Sequence, residues 1–146
     1  MKIIKAKLED VGKIHNLIHK YAREGLMLYR PTREIEHKIR DYFVCKEKNS
    51  VIGCIGLTIW NKNAAEIYGL AVDKNHTDKG IGSMLVKKCI QEARDLGVKS
   101  VFALTSRKEL FIKLGFKKIT ARELPRIMFT TKTVDSDKAY GIKLTK

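Results

Sequence analysis

The chain has 146 residues, 44% of them hydrophobic and only two of them proline, which suits a single domain with a sizeable core and leaves no apolar run long enough to cross a bilayer. Lysine and arginine outnumber aspartate and glutamate by 30 to 16, a formal net charge of +14. The excess is spread along the chain without interleaved aromatic residues, so a lysine-rich surface is expected and a nucleic-acid-binding module is not.

Three cysteines, Cys45, Cys54 and Cys89, stand at wide spacings. They suggest neither a disulfide framework nor a zinc site, and buried free thiols are expected. The opening MKIIKAKLED turns charged too early for a secretory signal, so the reading is cytoplasmic, with no membrane association.

KIIKA alternates like a short strand, and Asp10 then precedes Val11, Ile14, Leu17, Ile18 and Tyr21, whose spacing predicts a helix with Asp10 as its cap. His15 and His19 fall four apart on that helix. Asn16 stands where a zinc-protease motif needs glutamate, so no metal is expected. Next comes the apolar loop EGLMLYR, ending in Arg30, and a short helix starting near Thr32. YFVCK and SVIGCIGLTIW, joined by the polar stretch 47–50, predict a hairpin, and AAEIYGLAV a further strand. After the loop NHTDKGIGS, the positions Ile81, Leu85, Cys89, Ala93 and Leu96 predict a long helix stopped by Gly97. VKSVFAL then reads as a buried strand, residues 109–114 as a short helix ended by Gly115, and FKKI as a strand. The last stretch, from Arg122, is ambiguous, although AYGIKL can close a sheet. A hairpin run followed by alternating strands and helices predicts an α/β (α+β) fold: a mixed twisted sheet with helices on both faces.

The glycine loop is the strongest chemical signal. A helix start exposes backbone N–H groups that no helical carbonyl reaches, which suits an anion. A Walker A loop needs lysine after its last glycine, whereas Lys79 precedes Gly80 and Ser83 follows Gly82. A dinucleotide fingerprint needs a third glycine, and Leu85 takes that place. A pyrophosphate cradle built on Gly80 and Gly82 survives.

The order of hairpin, strand ending LAV, glycine loop, long helix, strand, short helix and LGF resembles the GNAT superfamily of acyl-CoA-dependent N-acetyltransferases over nearly the whole chain, as one domain spanning residues 1–146. VIGCIGL, AEIYGLAV, VFALTSRKELFIKLGF, ELP and GLMLYR are further similar to the acetyltransferase domain of N-acetylglutamate synthases. The amino-acid-kinase domain that often precedes that unit does not stand in these residues, and the arginine feedback that depends on it is not expected. The resemblance implies acetyl-CoA as co-substrate, with Thr77, Asp78, Lys79, Gly80, Ile81, Gly82 and Ser83 around its pyrophosphate. Leu70, Ala71 and Val72 would lie along the pantetheine arm. Thr77 stands where the family has glutamine or arginine, though its hydroxyl can still meet a phosphate.

Acetylation needs an uncharged amine, so a base must remove a proton. Glu66, on the strand before the cradle and flanked by Ala65 and Ile67, is the candidate. An acidic substrate needs guanidinium forks, and Arg30 and Arg107 are the candidates. The resemblance adds Cys54 to the substrate-binding set, although its apolar flanks describe a packing thiol rather than a nucleophile. Phe111 occupies the position at which many GNAT enzymes carry a tyrosine acid, leaving solvent or Ser106 for that role. The expected reaction is acetylation of the α-amine of a small acidic amino acid, L-glutamate first, as in arginine biosynthesis. Rival acceptors are polyamines, aminoglycosides and protein amines, and a rival class is a non-catalytic acyl-CoA-binding module. The family also admits a homodimer.

Overall fold

The structure, a computed structural model, describes residues 1–144. Its elements are β1 (Lys2–Lys5), α1 (Val11–Arg23), α2 (Thr32–His37), β2 (Tyr42–Glu47), β3 (Ser50–Asn61), β4 (Ala64–Val72), α3 (Ile81–Leu96), β5 (Ser100–Leu104), α4 (Lys108–Lys113), β6 (Lys117–Lys118), α5 (Met128–Thr131) and β7 (Ala139–Lys143). The described strands form a seven-stranded sheet in the order β1-β2-β3-β4-β5-β7-β6. The pairings β1–β2, β2–β3, β5–β7 and β6–β7 are antiparallel and β4–β5 is parallel, so the sheet is mixed.

The residues gather into two compact units. The first holds Met1–Gly56 and Gly69–Lys88. Here β2 and β3 pair Cys45 with Gly53 and Val44 with Cys54, so alternate residues face opposite ways. A Cβ built on Gly53 would come within 3.0 Å of Ile81 and 3.1 Å of Leu85, which places the first turns of α3 on that face. A Cβ on Gly69 would meet Ile18 and Tyr42 at 3.5 Å. Tyr42 lies one strand residue out of phase with Cys45, so α1 covers the opposite face. Helices on both faces, the sequence expectation, therefore hold in this unit. Its core comprises Ile14, Ile18, Val44, Ile55, Ile81, Leu85 and Val86, all with no exposure or nearly none.

One detail differs from the sequence expectation. The Asp10 side chain makes no cap bond to α1; it accepts the backbone N–H of Lys7 at 2.8 Å and pairs with Lys46 at 3.0 Å. A 3-10 turn, Leu8–Asp10, precedes the helix, so Asp10 is already helical in conformation and its carboxylate closes that turn instead.

The second unit holds Leu57–Tyr68 and the chain from Cys89 onward. On one face of β4 and β5, Ala64 and Phe102 are buried with Leu124, Met128 and Ala139, and Trp60, Leu104, Ile119 and Val134 pack against them. That small core is what anchors the stretch after Arg122, which the sequence left ambiguous: α5 inserts Met128, and β7 pairs with β5 from Ser100↔Lys143 to Leu104↔Ala139.

Candidate active site

In the first unit β4 leads into the glycine loop. Gly69 sits within β4, just before Leu70, Ala71 and Val72, at φ +62°, a conformation that costs an L side chain about 1 kcal/mol or more. The Tyr21 hydroxyl donates to the Val72 carbonyl at 2.6 Å, so α1 fixes the strand end from one side. The Asp73 N–H then donates to the Ile52 carbonyl at 2.8 Å, keeping the chain on β3 for one more residue.

Residues 74–79 make a 3-10 turn whose start is fixed by the Asp73 carboxylate on the Asn75 N–H at 3.1 Å. Gly80 follows at φ +74° with no heavy atom within 4 Å of where a Cβ would stand. The α3 hydrogen-bond ladder begins with Met84 N–H donating to the Gly80 carbonyl at 3.1 Å, so Ile81, Gly82 and Ser83 fall in the first turn, where N–H groups have no helical partner. The open space at Gly80 together with those donors fits a pyrophosphate. Thr77 and Lys79 are exposed beside it, and the Thr77 hydroxyl donates to the Lys74 carbonyl at 3.4 Å, leaving its oxygen able to accept.

Arg30 belongs to the same unit. Its Nη1 pairs with the Glu34 carboxylate at 3.2 Å, one turn along α2. The loop before it is held to α1 by an aromatic cluster: His15 and His19 stack at 5.7 Å, and the exposed Tyr29 meets each of them edge-on at 5.8 Å. Cys54 is fully buried and its thiol lies 3.4 Å from the Gly69 carbonyl, a packing position. Burial pushes the Cys45 thiol, on neighbouring β2, above its ordinary range, and the charge of Glu47 adds to the effect.

The second unit carries Glu66, Arg107 and Phe111. Glu66 stands opposite Phe102 in the parallel β4–β5 pair and is 4% exposed. Its Oε1 accepts from Trp60 Nε1 at 3.0 Å and from Lys132 Nζ at 3.0 Å, and its Oε2 accepts from Lys132 Nζ at 2.8 Å. The sequence reading gave this carboxylate only apolar neighbours, Ala65 and Ile67. Those side chains point to the other face, and Glu66 meets a cation delivered from 66 residues further on. Arg107 ends the turn after β5 as the residue preceding α4, with its N–H held by the Thr105 hydroxyl at 2.9 Å. Phe111 is buried against Phe116 at 5.1 Å, edge to face, and offers no proton. A cavity of about 720 Å³ in this unit, lined by residues including Ser100, Lys117, Glu123 and Lys143, includes neither Glu66 nor Arg107.

Residues 9–116 match the model of the GNAT family of acetyltransferases. The chain belongs to the GNAT family. GNAT acetyltransferases take their acetyl group from acetyl-CoA. An uncharacterized N-acetyltransferase of Chlorobaculum tepidum is 38% identical over 121 residues, covering 83% of this chain and 78% of that one. An amino-acid acetyltransferase of Shewanella oneidensis is 32% identical over 117 residues, 79% of this chain but only 26% of its own length. Among solved structures, N-acetylglutamate synthase of Neisseria gonorrhoeae, complexed with coenzyme A and N-acetyl-glutamate, superposes with a TM-score of 0.88 at 26% identity, over 99% of this chain and 35% of that one. The chain thus spans about a quarter to a third of the amino-acid acetyltransferases it matches.

Sequence reasoning missed three groups at these positions: Tyr21 on Val72, and Trp60 and Lys132 on Glu66. A fourth, Glu34, was legible, because an arginine and a glutamate four apart at a helix start are a recognised pair.

Proposed function

We propose that this N-acetyltransferase transfers the acetyl group of acetyl-CoA to the α-amine of a small acidic amino acid, L-glutamate first. The observation that carries the reading is the likeness, over 99% of this chain and 35% of the other, to a synthase structure holding coenzyme A and N-acetyl-glutamate. Arg30 and Arg107 support it, since two guanidinium forks suit the two carboxylates of such a substrate.

In this reading Glu66 accepts the proton of the substrate ammonium, directly or through one water. The freed amine nitrogen attacks the thioester carbonyl carbon, and the carbonyl electrons move to oxygen. A backbone N–H from the stretch Leu70–Val72 stabilises that oxyanion. Collapse re-forms the carbonyl and breaks the carbon–sulfur bond, and the second proton of the attacking nitrogen passes through water or Ser106 to the departing coenzyme A thiolate, leaving a neutral amide and a free thiol. No acyl-cysteine forms, because Cys54 is buried.

The test is thiol release from acetyl-CoA with a panel comprising L-glutamate, L-aspartate, spermidine, an aminoglycoside and a short peptide amine. Release dependent on L-glutamate that collapses in Arg107→Ala, with the KM for acetyl-CoA unchanged, supports the reaction and the clamp. Release with spermidine, the aminoglycoside or the peptide alone removes the acidic substrate. Absence of release with every member removes catalysis and favours an acyl-CoA-binding module.

A further inference from the structure

Glu66 has more partners than a proton acceptor needs. An ionised carboxylate offers about four acceptor positions. Trp60 Nε1 takes one on Oε1 at 3.0 Å, and Lys132 Nζ takes one on each oxygen, at 3.0 and 2.8 Å. A single position remains, on Oε2. The pair is open to solvent on the lysine side, with the Lys132 side chain 30% exposed and that of Glu66 5%, and an ion pair so placed contributes little to stability by itself.

The placement of Lys132 is built. Leu124 and Met128 are buried in the small core with Ala64 and Phe102. The Lys132 N–H closes α5 on the Met128 carbonyl at 3.2 Å, and its backbone then turns extended, at φ −160° and ψ +165°. Its ammonium crosses the Trp60 ring at 5.9 Å to reach the carboxylate. Trp60 is thereby a donor to Glu66 through its edge and a platform for Lys132 through its face.

We propose that Lys132, with Trp60, is the positioning residue of the acceptor site: together they close three acceptor positions of Glu66 and aim the fourth, on Oε2, at one N–H of the acceptor ammonium or at the water that relays its proton. This rests on the proposed role of Glu66 and deepens it. The acceptor amine meets Glu66 through one hydrogen bond of fixed direction, and the stretch from Leu124 to Lys132 is part of the catalytic apparatus rather than a sheet edge.

The experiment is a double-mutant cycle on kcat, using Lys132→Met and Glu66→Gln singly and together, with the amine panel above as acceptors. General-base contributions run to roughly 10²–10⁴-fold, so misaiming the base is expected to lower kcat in K132M about tenfold or more. The KM for acetyl-CoA stays within about twofold, and Lys132→Arg, which also reaches both oxygens, recovers most of the loss. In the E66Q background K132M adds no further loss, because a residue acting through Glu66 has nothing left to act on. Equal losses in both backgrounds, or a K132M enzyme with unchanged kcat, overturn the assignment. Where K132M fails to fold, Trp60→Phe removes one donor, keeps the ring, and takes its place in the cycle: a loss confined to the Glu66 background supports the assignment, and equal losses in both overturn it. Full activity in E66Q, or a wild-type enzyme with no turnover of any amine, overturns the reading of Glu66 itself, a result distinct from an inert K132M.

Discussion

Helix α3 carries a glycine in the left-handed region at each end, Gly80 at φ +74° before Ile81 and Gly97 at φ +85° after Leu96, and neither has a heavy atom within 4 Å of where a Cβ would stand. Replacing either with alanine meets no clash, so the cost in both is backbone strain, about 1–2 kcal/mol. For a chain of this size that corresponds to a fall in Tm of roughly 2–8 °C, alike for the two variants. Their effects on the cofactor should separate. The ends of α3 are about 24 Å apart at 1.5 Å rise per residue over its 16 residues. Relaxing Gly80→Ala toward negative φ turns the first-turn N–H groups away from the pyrophosphate. The loss of one charge-assisted hydrogen bond, about 1.5–3 kcal/mol, weakens coenzyme A by roughly tenfold or more. Gly97→Ala leaves it unchanged. Calorimetric titration with coenzyme A beside thermal melts of both proteins checks this. Equal weakening in the two variants, or Gly80→Ala binding within twofold of wild type, would refute the cradle.

Three further outcomes are expected. Glu34→Gln removes one internal partner of the Arg30 guanidinium, and since a helical i,i+4 pair is worth about 0.3–0.5 kcal/mol, the KM for L-glutamate should fall about twofold at low salt; a rise would show that Glu34 holds Arg30 in its working position. Met128→Ala empties a fully buried site and should cost about 2–5 kcal/mol, read by denaturant melts, with kcat falling further than the KM for acetyl-CoA because Lys132 loses its anchor. The Cys45 thiol, pushed up by burial, should stay unreactive toward a thiolate-selective disulfide reagent at pH 8 and react on unfolding; rapid labelling of Cys45 in the native protein would contradict that burial.

The elements were legible because their signals are local. The three-to-four-residue recurrence from Ile81 to Leu96 can be satisfied in only one way by a helix, and Gly97 supplies the positive φ that stops it. The hairpin of β2 and β3, the strand at β4 and the glycine loop follow from equally local patterns, and the family resemblance rests on their order. Asp10 shows where a local rule gives way: the capping signal was present, but one carboxylate oxygen closes the preceding 3-10 turn on the Lys7 N–H and the other meets Lys46, 36 residues away.

The partners of the candidate site were decided by tertiary structure. Which cation meets a strand carboxylate depends on strand pairing and on what covers that face, and neither has a period in the sequence. Glu66 finds Lys132 only because β7 pairs beside β5 and Met128 buries itself over Ala64 and Phe102. Tyr21 finds the Val72 carbonyl across 51 residues for the same reason, since burial in a shared core does not register sequence separation. The sequence by itself determined the helices and strands as far as β6 and the glycine loop before α3, whose hydrogen bonds and turns close within a few residues. The surroundings of Glu66 came from the packing of the sheet, which brings together side chains that the chain keeps far apart.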